Sequence, residues 1–360
     1  MNTFNLSELN SFKNADNFSY FRDWVIDFFK REYLRESNRL EEYDVSDLFG
    51  SAMRPAVSYW NPNRSKHAEV FWLENFVFNQ ETSMKNKILN AMAVKFVGMP
   101  TLTLVATDSS DYSNIINFDE YSKHEEYYDF INKNLDENRF KTKVWGATQL
   151  QTSLQTAARN FVRIQEQNEE APFKLSHMIR WIEELDRQGM SDVVQNPESK
   201  LKDVCDWLLQ HRGIGPYFSY HPPCNFSRSI DLSHIDEDED YCLVGPGAKR
   251  GLEFVFPDVK FSNNSIMEKF IVSVKKHQYE FFDLKDSDLF WFQNNLERGG
   301  KLTTFGTEIT FCQFNCFLGI KDNPKAQEKR MLPLTFDSFF DIASQIEEKK
   351  SGSTLDSFFV

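Results

Sequence analysis

Apolar residues recur at helical spacing along most of this chain. Phe21, Trp24, Val25, Phe28 and Phe29 fall at i, i+3, i+4, i+7 and i+8, one stripe of an amphipathic helix. Leu201, Val204, Cys205, Leu208 and Leu209 repeat the spacing, with a helix start signalled at Asn196-Pro197-Glu198. Residues 177–187 and 266–282 also read as helices. Strand-like runs are scarce, and LTLVA at 102–106 is the only good candidate. No repeat of fixed period emerges, and the stretches 61–64, 108–123 and 221–240 read as connections. The pattern predicts a mainly α-helical protein. Its expected parts are an N-terminal helical segment over 1–65, a large helical body over 66–345 and a flexible tail over 346–360.

Composition narrows the class. The 360 residues are 41% hydrophobic and 15% aromatic, enough to bury a core and to argue against intrinsic disorder. Phenylalanine alone takes 35 positions, so the core is expected to be built on rings. No apolar run approaches the roughly 18 residues of a membrane span, and the N-terminus MNTFNLSELNSF has neither the basic start nor the apolar stretch of a secretory signal. Five cysteines in a long chain suit a reducing interior better than a disulfide scaffold. The net charge of −13 speaks against a generic nucleic-acid coat while leaving room for a local basic site.

Two blocks depart from the acidic average. Between Asn138 and Gln165 lie Arg139, Lys141, Lys143, Arg159 and Arg163 with no carboxylate, whereas Asp231 to Asp240 holds six carboxylates and no cation. Either block, alone, reads as a solvated face. Between them lies WLLQHRGIGPYFSY (207–220), in which a Gly-Ile-Gly turn follows one amphipathic helix and precedes another helix-capable stretch. This is the layout of a helix-hairpin-helix element. Gly213, Ile214, Gly215 and Tyr217 become candidate contacts to a DNA phosphate, because glycines let the backbone approach an anion. The plainer reading is a capped helix followed by a new one with Pro216 at its first position. Further on, VGPGAKRGLEF (244–254) sets Gly245, Gly247 and Gly251 around Lys249 and Arg250, either a surface turn with a basic tip or a cradle for pyrophosphate. It lacks the GxxxxGK[ST] pattern, which occurs nowhere in the chain, so it is not an ATP site.

In order, GIGPYF, the Ile230-Asp231 pair and GPGAKRGL resemble the α-glutamyl/putrescinyl-thymine pyrophosphorylase family and the related helical domain of 5-hydroxymethyluracil DNA kinases. Both are distant relatives of helix-hairpin-helix DNA glycosylases. VWGATQLQTS (144–153) and EITFCQFNCFLGIKDNPKAQEKR (308–330) fit the same pattern, so the resemblance spans roughly residues 70–330. It departs at Cys312-Gln313-Phe314-Asn315-Cys316, where the family pattern carries Cys-Glu-Phe-x-Lys. The resemblance implies a helix-hairpin-helix DNA-glycosylase-like body, acting on DNA in which an amine displaces pyrophosphate from a 5-pyrophosphorylmethyl-uracil. Such an enzyme must extrude the base or take it single-stranded. Asp231 is the expected general base, and Lys249 with Arg250 the expected stabilisers of the leaving group. Tyr217 stands where bifunctional glycosylases carry a nucleophilic lysine, which disfavours lyase chemistry. The other readings are a monofunctional glycosylase and a non-catalytic DNA- or clamp-binding protein on the same scaffold. The location implied is inside a cell with DNA, nuclear in a eukaryote and cytoplasmic for a phage or bacterium.

Asp236, Asp238 and Asp240 could hold Mg²⁺ on the pyrophosphate, although consecutive acids more often form a solvated loop. Cys312 and Cys316 read as an apolar helical face rather than half a zinc site. Trp60, Trp72 and Trp145 could stack on a flipped base, with core packing the commoner use. At the end of the chain, Leu355, Phe358 and Phe359 resemble a sliding-clamp-binding peptide without its upstream glutamine, Gly352 standing in that place; a final packing segment is the alternative.

Overall fold

The structure is a computed structural model that describes residues 3–37, 39, 42, 68–97, 115–120, 152–168 and 176–320. Its main helices, in chain order, are α1 (Leu6–Phe12), α2 (Ala15–Glu36), α3 (Ala68–Trp72), α4 (Met84–Phe96), α5 (Thr152–Gln165), α6 (Ser176–Arg187) and α7 (Met190–Gln195). They continue as α8 (Leu201–Leu209), α9 (Pro216–Tyr220), α10 (Pro246–Val255), α11 (Asn264–Lys276), α12 (Gln278–Phe281), α13 (Asp286–Asn295) and α14 (Thr304–Ile320). No strand occurs among the described residues, so the fold is mainly α. These residues fall into two compact units, one combining α1 and α2 with residues 237–320, the other spanning 68–236.

The first unit is organised by rings. α1 opens with a capping box: the Asn5 side chain accepts from the Glu8 N–H (2.9 Å), and the Glu8 carboxylate accepts from the Asn5 N–H (2.8 Å). The predicted stripe of α2 is buried along its length, Phe21, Trp24, Val25, Phe28 and Phe29 each being 3% exposed or less. It meets α14, where Phe21 stacks on Phe311 at 4.7 Å and Phe314 approaches both Phe21 (4.9 Å) and Trp24 (5.4 Å). The helix expected over 266–282 is two helices, with a break at His277. The cause is local. Buried Gln278 hydrogen-bonds the chain at Leu302, accepting from its N–H (2.8 Å) and donating to its carbonyl (3.2 Å).

The second unit is built around α4, in which Ile88, Leu89, Ala91, Met92, Ala93, Val94 and Phe96 are all fully buried. A helix apolar on nearly every side is a core helix. Its polar residues are therefore the informative ones. Asn90 accepts from the Ile116 N–H (3.0 Å) and donates to the Ile116 carbonyl (2.8 Å), while Asn86 accepts from the Phe118 N–H (2.8 Å). The two amides thus serve as a surrogate ladder for the extended segment 115–118. Asn90→Leu should cost roughly 2–4 kcal/mol, because it leaves two buried backbone groups without partners. Urea denaturation would measure the loss, and amide exchange at Ile116 should accelerate in the same variant.

α8 begins at Leu201, not at the expected Asn196-Pro197-Glu198. Those residues close a turn of their own, Ser199 N–H to Asn196 carbonyl (2.9 Å), and the helix opens where the Asp203 carboxylate accepts from the Lys200 N–H (2.9 Å). The expected connection 221–240 contains two short 3₁₀ turns and, unlike a surface loop, buries Cys224, Asn225 and Phe226 completely. The candidate strand 102–106 and the tail 346–360 lie outside the described residues.

Candidate nucleic-acid interface

α8 and α9 are joined by a tight turn, which we call the hairpin. The His211 N–H donates to the Leu208 carbonyl (3.0 Å) and the Ile214 N–H to the His211 carbonyl (3.1 Å), which reverses the chain. Gly213 sits at φ 86, a left-handed conformation that glycine adopts without steric cost. Gly215 caps α9 in extended backbone and Pro216 takes the first helical position. Ile214 and Tyr217 point inward, each 6% exposed, and the Tyr217 ring lies 4.2 Å from that of His221. Of the four expected phosphate contacts, the side chains of Ile214 and Tyr217 anchor the hairpin to the core. Gly213 and Gly215 remain half-buried on its outer side.

One residue the sequence reading passed over lies beside them. Arg212 is exposed at the tip of the turn and lines a cavity of about 620 Å³ with Asn160, Arg163, Ile164 and Gln167. Two features read separately, the carboxylate-free block ending at Gln165 and the hairpin, therefore share one wall. His211 adds little charge there, since burial pushes its imidazole below the ordinary range. Its ring rests against Trp207 at 4.1 Å. In the same unit, Asp231 is exposed on a short 3₁₀ turn, next to an Ile230 that is 88% exposed.

The glycine–basic stretch belongs to the first unit and is helical from Pro246 on, as α10, with Gly245 as its N-cap. Its glycines are used for packing on α14. A Cβ on Gly247 would stand 2.5 Å from Cys312 Sγ, and one on Gly251 would stand 2.9 Å from the backbone carbonyl carbon of Phe311. The Gly245 N–H donates to Glu308 Oε1 (3.1 Å), a carboxylate fully buried on α14. Lys249 faces Glu253 one turn on (3.6 Å), and Arg250 is exposed.

The acidic run is not a bare loop. Asp238 pairs with Lys275 (3.0 Å) and Arg298 (3.4 Å) and accepts from the Thr304 N–H (3.0 Å), so it caps α14. Asp240 pairs with Lys276 (2.5 Å), and Asp236 is half-buried. Asp238 and Asp240 are thus both paired with cations. Among the described residues no group of three or more His, Cys, Asp or Glu could hold a metal ion. Trp72 is fully buried in the core. Trp60, Trp145, Leu355, Phe358 and Phe359 lie outside the described residues. No helix among those described is long and apolar enough to cross a membrane.

Comparison with known proteins bears on this arrangement. The chain is 26% identical over 114 residues to the 5-hmdU DNA kinase of Bacillus phage SP10, a match covering 30% of this chain and 18% of that protein. It thus spans less than a fifth of the curated relative's length. No solved structure matches. The family described as "5-hmdU DNA kinase, helical domain" matches residues 113–322, more than half of the chain, and takes in the hairpin, Asp231, α10 and α14. By that match, this chain belongs to the 5-hmdU DNA kinase helical-domain family.

Proposed function

We propose that the chain modifies bases in DNA, as a transferase acting on a 5-substituted uracil. The observation that carries this reading is the family match over residues 113–322, within which the hairpin, Asp231 and the glycine–basic stretch fall. The reaction we infer is displacement at the exocyclic methylene of a 5-pyrophosphorylmethyl-uracil. A neutral amine forms the new C–N bond, the C–O bond to pyrophosphate breaks, and the amine's surplus proton passes to a carboxylate. Asp231 is our choice for that carboxylate, since its exposure leaves it accessible to substrate. The assignment requires no metal.

The test is direct. DNA bearing pyrophosphorylated hydroxymethyluracil is incubated with the protein and a set of amines, and the digested nucleosides are weighed. The expected result is a nucleoside heavier than thymidine by the amine adduct, with release of pyrophosphate and no strand damage. Free base with an abasic site would replace this reading by glycosylase chemistry. Unchanged nucleosides with retained DNA binding would replace it by a non-catalytic role.

A further inference from the structure

On α5, Asn160, Arg163, Ile164 and Gln167 follow one another at i, i+3, i+4 and i+7, a single face of the helix and its C-terminal turn. The opposite face holds the fully buried Ala158 and Val162. Among the described residues, those lining the cavity include no carboxylate, in a chain whose net charge is −13. The nearest acid in sequence, Glu166, is drawn aside onto Arg180 at 2.6 Å. Arg212 closes the cavity from the hairpin. One turn before Arg163 stands Arg159, its Nε buried with no hydrogen-bond partner among the described residues. In the middle stands Ile164, 79% exposed.

We propose that this cavity seats a single DNA strand, with Arg163 and Arg212 on its phosphates and Ile164 against the face of an unstacked base. The inference deepens the function proposed above and rests on it for the identity of the partner. Guanidinium groups match phosphate oxygens in bidentate fashion. An apolar side chain between cations is what a base face takes and what an acidic peptide does not need. The Arg163 position at a helix C-terminus also favours a cation on electrostatic grounds alone. That account leaves both the exposed isoleucine and the convergence with Arg212 unexplained.

The test is binding of the full chain to a fluorescent single-stranded oligonucleotide of ordinary bases, followed by anisotropy across a salt series. Arg163→Gln with Arg212→Gln should weaken binding at least tenfold at low salt. It should also reduce the slope of log K against log salt by about 1.4, two phosphates at roughly 0.7 each. Arg163→Lys with Arg212→Lys should restore most of the slope. Ile164→Ser should keep affinity within about threefold, yet abolish the fluorescence rise of a 2-aminopurine placed in the strand. Because the substituted side chains are at the surface, circular dichroism should be unchanged. Binding of the glutamine pair within twofold of the parent, or an unaltered salt slope, overturns the proposal. So does preferential capture of a polyglutamate peptide. None of these readouts depends on amine transfer, so a failed transferase assay and a failed groove are separately visible.

Discussion

Gly251→Ala is expected to unfold the first unit at temperatures where the parent is stable, with a loss of roughly 3 kcal/mol or more. The added methyl would meet not a side chain but the Phe311 backbone of α14, at 2.9 Å from its carbonyl carbon and 3.1 Å from its Cα. Backbone inside a helix cannot step aside, so the two helices must separate, and with them the ring contacts that join α14 to α2. Gly247→Ala is the graded comparison. Its methyl would meet the Cys312 sulfur, a single side chain able to rotate, and the loss should be near 1–2 kcal/mol. Gly319→Ala is the control, having nothing within 4 Å of the added atom, and should stabilise α14 by up to about 1 kcal/mol. Calorimetry of the three variants ranks them. A Gly251→Ala protein that melts with the parent would show that α10 and α14 do not approach as closely as described.

That glycine pair also explains what could and could not be read from the chain. The stripes of α2, α6 and α8 were legible because each has one apolar face and one wet one, and a period of 3.6 survives in such helices. α14 carries little of that contrast. From Leu302 to Phe311 every residue is buried, threonines and Glu308 included, so its hydrophobicity does not alternate. α10 was concealed by its glycines, which argue locally for a loop. They are tolerated because α14 approaches too closely for any other residue, and packing overrides propensity. The acidic run likewise looked solvated, since Lys275, Lys276 and Arg298, its partners, lie tens of residues away.

The candidate interface shows the same division. The hairpin was visible from local chemistry alone, Gly213 for the left-handed turn and Pro216 for the helix start. The cationic block ending at Gln165 was equally visible. Their meeting through Arg163 and Arg212 was not, because nothing in the intervening residues marks which helix face looks toward which turn. Arg212 itself sat within the motif and was overshadowed by its glycines.

Lys95→Met is the second large effect we expect, a loss of about 3–5 kcal/mol measured by urea denaturation. Lys95 on α4 and Glu69 on α3 form an ion pair with both side chains fully buried. Removing Lys95 takes the positive charge from beside a carboxylate held in a medium that solvates it poorly, and that lost compensation supplies most of the loss. Glu69→Leu should be damaging for the converse reason. Combining the two removes both charges at once, and the double variant should be more stable than either single one, giving a coupling energy of about 2 kcal/mol or more. The pair therefore contributes less to net stability than to fixing the register of α3 on α4. α3 has only five residues before it passes into the π-helical turn Leu73–Phe78, too few to hold that register by ridge packing alone. Amide exchange in Leu73–Phe78 should then rise in the double variant even where global stability recovers. Unchanged exchange there, with the single variants as damaging as expected, would leave the pair a purely energetic feature of the core.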